Sequence, residues 1–176
     1  MGMFIIQVSN PRMLREYDPD DESLSDALQK VFPMDTEDAY LGWGAFSIPL
    51  NYKYDVSLMA EGAVNLVEAM LGSSSGEWSI GWPSNSFDCT WEVVWAECRF
   101  EARAVWRDVN VPSVDLLNSA GPLSGECEQF VAEWKALFEL LYRALTEAGY
   151  RESQIRKLSN LGVLARTLPK RGVLYA

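Results

Sequence analysis

WSIGWPSNSFDCTWEVVWAECRFEARAVW, residues 78–106, contains three runs in which every second side chain is apolar. Trp78, Ile80 and Trp82 make the first, Phe87, Cys89, Trp91, Val93 and Trp95 the second, and Phe100, Ala102, Ala104 and Trp106 the third. A period of two is the signature of a β-strand with one buried face. Three antiparallel strands over 78–82, 87–95 and 99–107 are therefore expected. If a turn centred on Glu97-Cys98 joins the last two, facing positions sum to 195, which sets Trp95 beside Phe100, Val93 beside Ala102, Trp91 beside Ala104 and Cys89 beside Trp106. The same register sets Glu92 against Arg103 and Asp88 against Arg107 on the opposite face, so charge pairing and apolar pairing select one alignment. Trp91, Trp95 and Trp106 then form a stripe on the face that must be covered by other elements.

Working outward, the covering elements are helices. Val56, Met59, Ala60, Ala63, Val64, Val67 and Met70 recur every three or four residues, with Asp55 or Ser57 available as N-cap and Gly72 as stop. Cys127, Phe130, Val131, Trp134, Leu137, Phe138, Leu141, Ala144, Leu145 and Ala148 make a wide apolar stripe, which predicts one long helix from about 124 to 148 ended by Gly149. Shorter helices are expected from Ser23 to Pro33, over 113–120 and around 152–161. Residues 4–8 and a stretch around Phe46–Leu50 read as further strands, Gly42, Gly44 and Pro49 interrupt the aromatic segment 35–54, and Val173-Leu174-Tyr175 suits a short terminal strand. The expectation is one α+β domain over 1–176, an antiparallel sheet that includes the Trp-rich meander, packed against amphipathic helices.

A chain of 176 residues can bury roughly 70% of its unfolded surface without help from disulfides or metals. Its three cysteines, Cys89, Cys98 and Cys127, form no CxxC and no even framework, as expected of a protein in a reducing cytoplasm. The N-terminal Met1-Gly2-Met3-Phe4-Ile5-Ile6 lacks a basic secretory n-region, its apolar run is too short for a membrane span, and Ile6 stands where a myristoylation motif needs Ser or Thr. Net charge is −10, which repels phosphate backbones and argues against nucleic acid as a partner. The charge is uneven. Residues 15–38 hold nine acids against Arg15 and Lys30, a net of −7, whereas residues 150–176 carry a net of +5. An acidic stretch of this kind accelerates encounter with a basic protein.

Catalytic signatures are few. There is no His, so the commonest general base, the commonest zinc ligand and every Ser-His-Asp or Cys-His mechanism are missing. No GxxxxGK[ST] or GxGxxG occurs, and no cofactor is called for. Glu92 with Glu101 or Asp88 could be read as a glycosidase-like carboxylate pair on a Trp-rich sheet, but cross-strand partners for these acids make surface ion pairs the better reading. Asp18, Asp20 and Asp21 lack the Gly and distal Glu of an EF-hand loop.

An acidic N-terminal region, a Trp-rich antiparallel sheet and amphipathic helices in a short chain resemble the immunity proteins of bacterial polymorphic (Rhs-type) toxin systems. The resemblance is one of composition and layout over the whole chain. It implies a non-enzymatic, one-to-one inhibitor that blocks the active cleft of a cognate toxin, a nuclease or an ADP-ribosyltransferase. The residues expected to meet that partner are the acids Asp18, Asp20, Asp21, Glu22, Asp35, Glu37 and Asp38, with Trp43, Tyr52 and Tyr54 as aromatic anchors. The alternative is a non-catalytic small-molecule or peptide-binding module with a pocket near Trp43, Tyr52, Tyr54 and Trp82.

Overall fold

The computed structural model describes residues 3–170. Strands β1 (Phe4–Gln7), β2 (Ala39–Trp43) and β3 (Phe46–Leu50) form one antiparallel sheet in that order. A second antiparallel sheet has the order β4 (Ser75–Ser84), β5 (Phe87–Ala96), β6 (Arg99–Val109) and β7 (Leu123–Glu126). The helices are α1 (Leu24–Val31), α2 (Ser57–Gly72), α3 (Val114–Asn118), α4 (Cys127–Glu133), α5 (Lys135–Ala148) and α6 (Leu158–Thr167). The fold is α+β, as the alternation at 78–106 and the helical stripes require.

The β5–β6 pair has the expected register over most of its length, with Trp95 opposite Phe100, Val93 opposite Ala102, Glu92 opposite Arg103, Trp91 opposite Ala104 and Cys89 opposite Trp106. It changes between Asp88 and Cys89, where Asp88 comes to face Asp108 instead of Arg107. The extra residue on β6 is Arg107, an arrangement that bends the strand and re-aims a side chain. Its guanidinium reaches Asp88 all the same, donating from Nη2 and Nε to Oδ1 at 2.6 and 2.8 Å, and from Nη1 to Thr90 Oγ1 at 3.0 Å. Arg103, although opposite Glu92, bonds along its own strand to Glu101, with Nη2–Oε1 at 2.8 Å. These groups lie on the exposed face of the sheet, where such pairs contribute little.

The inner face is a cluster of rings around Trp91, which is fully buried. Ring centroids of Trp43, Trp82, Phe4, Trp106, Phe87 and Trp134 lie 5.1, 5.2, 6.0, 6.2, 6.5 and 6.5 Å from it, mostly edge-to-face or tilted as aromatic quadrupoles prefer. Phe4 and Trp43 come from the smaller sheet, Phe130 from α4 and Trp134 from its junction with α5, so the Trp face is covered by that sheet as well as by this helical segment, while α2 packs against β4. Among the described residues, the indole N–H groups of Trp82, Trp91 and Trp134 have no hydrogen-bond acceptor.

Several sequence expectations are corrected. The long helix over 124–148 is three elements, because residues 123–126 pair with β6, placing Gly125 opposite Phe100. A β-carbon at Gly125 would stand 3.0 Å from the Phe100 ring, so this strand has room only for glycine there without a shift. The remaining helix divides at Trp134, whose N–H bonds back to Val131 with the tighter 3₁₀ spacing at 3.3 Å. Beside that break the buried Glu133 carboxylate accepts the Ile6 N–H at 3.1 Å. Strand β2 is additional to the expected β3, and Gly44, at φ +63°, makes the tight turn between them. Neither Asp55 nor Ser57 caps α2. A π-helical turn, Tyr52–Val56, precedes it, and Asn51 caps that turn by accepting from the Lys53 and Tyr54 N–H groups. Asp55 is buried and accepts from the Asn51 N–H and the Ser84 and Ser86 hydroxyls, tying this turn to the β4–β5 hairpin. The last helix begins at Leu158, after a chain of turns that ends on Lys157 in the left-handed region at φ 68°. The tail at 173–175 lies outside the described residues. No helix among the described residues is long and apolar enough to cross a membrane.

Candidate functional site

The acidic segment separates into two turns of different character. In the first, Asp18 Oδ1 accepts the Asp20 N–H at 2.9 Å, closing the loop on itself. Lys30, in the last turn of α1, bonds to Asp18 and to Asp21, the latter at 2.7 Å. Asp21 is 6% exposed, and its second oxygen accepts the Tyr150 hydroxyl at 2.5 Å. The Gln154 amide donates to the carbonyls of Asp18 and Asp21, and the Arg156 N–H to that of Glu22 at 2.8 Å. The hydrogen bond from Lys30 holds the Asp18 carboxyl below its ordinary value, and Asp18, then Asp21, push the Lys30 ammonium up. Burial, then the hydrogen bond to Asp21, pushes the Tyr150 phenol up to about 12. Asp18 and Asp21 are thus occupied in fastening the N-terminal loop to the α5–α6 connection. Asp20 and Glu22, with exposed side chains, are the outward acids of this turn.

The second turn leads into β2. Asp35 and Glu37 are exposed and Asp38 half-buried, between Met34 at 56% and Tyr40 at 44% exposure. Asp35 pairs with Arg12 at 2.5 Å, but both side chains are largely in solvent, which screens the pair. Glu37 is positioned by the backbone of the chain after β1, accepting the Asn10 N–H at 3.3 Å while its own carbonyl takes the Ser9 hydroxyl at 3.4 Å. Tyr40 stands on the outer face of the smaller sheet, opposite Gln7 on one side and Pro49 on the other. Tyr40 escaped the sequence reading because the glycines at 42 and 44 concealed the alternation Ala39, Leu41, Trp43 that turns it outward.

The aromatic anchors expected from sequence do not share this surface. Trp43 and Tyr52 are 1% and 0% exposed, with Trp43 in the ring cluster and Tyr52 tilted against Phe32. The Tyr52 hydroxyl accepts the Ser9 N–H at 3.1 Å, and its phenol is raised chiefly by burial. Tyr54 is exposed on the π-helical turn, beside the Lys53 ammonium. With Trp43, Tyr52 and Trp82 packed in the core, the pocket expected among them is filled by their own rings. A cavity of about 710 Å³ lies elsewhere, between the end of α2 and the start of α4, lined by Met70, Leu71, Trp95, Cys98, Cys127 and Val131 among others. Among the described residues no three carboxylates or thiols converge to hold a metal ion. In comparisons with known proteins, the chain matches no family model, no curated protein and no solved structure.

Proposed function

We propose that this chain is a stoichiometric protein-binding inhibitor, an immunity protein that neutralises a cognate bacterial toxin in the reducing cytoplasm of the producing cell. The observation that carries the reading is the surface at 34–40. Asp35, Glu37 and Asp38 stand beside the exposed Met34 and Tyr40 at the entrance to a paired strand. Carboxylates on a protein of net charge −10 draw in a basic partner, and neighbouring apolar side chains supply the contact area that charge alone does not. A toxin that acts on nucleic acid, or transfers ADP-ribose from a phosphate-bearing dinucleotide, holds its substrate with cationic groups. An acidic, aromatic surface is complementary to such a cleft. The protein then acts by occupancy, without turnover, at one copy per toxin. The second reading, a small-molecule or peptide-binding module, is favoured by the 710 Å³ cavity, whose size is that of a ligand site.

Co-expression in bacteria with the product of the adjacent gene tests the proposal. That product should be toxic alone, harmless with this protein, and recovered with it at equal stoichiometry. A product that is non-toxic alone, or that stays toxic against a stoichiometric excess of this protein, overturns the inhibitor reading and favours the binding module.

A further inference from the structure

β6 and β7 run antiparallel with Arg99 opposite Glu126 and Phe100 opposite Gly125. One step further along this ladder stand Cys98 and Cys127, and the pairing continues to them, since the Cys127 N–H donates to the Cys98 carbonyl at 2.8 Å. Facing residues of an antiparallel pair have Cα atoms roughly 4.5–5.5 Å apart. That lies inside the span of roughly 4.4–6.8 Å that a disulfide bridges. Both residues line the 710 Å³ cavity. The thiols also feel one another, because the Cys127 thiol is raised first by burial and then by the charge of Cys98.

A second observation concerns the turn itself. Glu97 and Cys98 are both left-handed, at φ 49° and 66°, in a two-residue hairpin where Asn-Gly is the favoured pair. A residue with a β-carbon is disfavoured at the second of these positions, yet a cysteine occupies it. Cys98 is exposed and accessible to a reagent, and Cys127 is half-buried behind it. The third thiol, Cys89, is fully buried in the ring cluster and opposite Trp106.

We propose that Cys98 and Cys127 are a reversible dithiol–disulfide site, closed by exchange with a small-molecule disulfide of the glutathione type. The Cys98 thiol gives its proton to solvent and its sulfur attacks one sulfur of the reagent, which breaks the reagent's S–S bond and releases one small thiolate. Cys127, deprotonated in its turn, attacks the Cys98 sulfur, forms the Cys98–Cys127 bond and expels the second small thiolate. Two protein thiols are oxidised, one small disulfide is reduced, and the two protons end on the two released thiols. The bond fastens the β5–β6 turn to the first residue of α4 along one wall of the cavity. Such exposed, exchangeable disulfides are the kind that respond to redox poise in a reducing compartment.

The test is incubation of the reduced full-length protein with oxidised glutathione, followed by intact mass and peptide mapping without reductant. The expected product has lost two hydrogens, keeps Cys89 as its remaining free thiol, and yields a Cys98–Cys127 linked peptide. Cys127→Ser should stop at a stable glutathione adduct on Cys98, Cys98→Ser should form no internal bond, and Cys89→Ser should close like the wild type. A wild-type protein that accumulates the same stable adduct as Cys127→Ser, or that retains three free thiols, overturns the proposal. If either serine variant fails to fold, as judged by tryptophan emission, the peptide map of the wild type decides alone.

Discussion

The turn at 18–22 and the turn at 35–38 look alike in the sequence, two short runs dense in carboxylates, and they have opposite fates. Asp18 and Asp21 meet Lys30, Tyr150 and Gln154, partners that reach them from as far as 136 positions along the chain. Asp35 meets one exposed arginine, Arg12, and Glu37 one exposed backbone amide, that of Asn10. The difference teaches that a run of charge states how much field a segment can make, whereas the donors that tertiary folding delivers decide how much of that field is left for a partner.

Substitutions separate the two turns, on a scale set by the core outside both of them. Trp91→Ala, which opens a hole at the centre of the ring cluster, should cost about 3–5 kcal/mol in urea unfolding. A value near the cost of a surface change would mean that the sheet's inner face is not the core. Next in size is Asp21→Ala, which leaves the buried Tyr150 hydroxyl without its acceptor and should cost about 1–3 kcal/mol. If it costs no more than Asp35→Ala, the two turns do not differ in kind.

Alkaline titration separates them again. Because the folded Tyr150 phenol is raised to about 12, the stability it contributes is complete below the ordinary tyrosine value of about 10 and is lost as pH climbs through 12. Tyr150→Phe should flatten that part of the stability–pH profile. Asp18 works in the other direction. Its lowered carboxyl contributes above the ordinary carboxylate value, and the contribution disappears as pH falls through the lowered one, a feature that Asp18→Asn should remove. The smallest effect on stability belongs to Asp35→Asn, Glu37→Gln and Asp38→Asn combined, within about 0.5 kcal/mol. The same triple change should slow association with the partner about tenfold at low ionic strength, with less effect on dissociation. Equal slowing at high and low salt would show that these acids do not steer.

The sheet was legible because period-two alternation is a local property and the pairing of 91–95 with 100–104 needs only a two-residue turn. The bulge at Asp88 was not, since a side-chain ion pair of the expected partners survives it and conceals the slip. The division of 124–148 was hidden for another reason. Ser124 and Gly125 stand just before the apolar stripe that begins at Cys127 and so read as its helical start, and what makes them strand is pairing with β6, with Gly125 beneath Phe100, a contact across strands. For the candidate surface, composition marks the acids at 35–38, whereas Trp43 and Tyr52 read as anchors only because they are aromatic residues in a segment interrupted by Gly42, Gly44 and Pro49. The strand position of Trp43 sends it inward, Tyr52 packs against Phe32 from the π-helical turn, and Tyr40, one pleat away from Leu41, faces out in their stead.

The nest of indoles around Trp91 has an optical consequence. Trp43, Trp82, Trp106 and Trp134 lie within 6.5 Å of it, ring centre to ring centre, so excitation entering any of them is shared among all. Held in a fixed, chiral array away from water, these chromophores should give an intense near-ultraviolet circular dichroism spectrum and emission at short wavelength. Both signals should collapse together on unfolding, as a reporter of side-chain packing that backbone dichroism cannot supply. The surface at 34–40 contributes no tryptophan to that array. A partner that docks there can be followed by its own fluorescence against a steady internal standard.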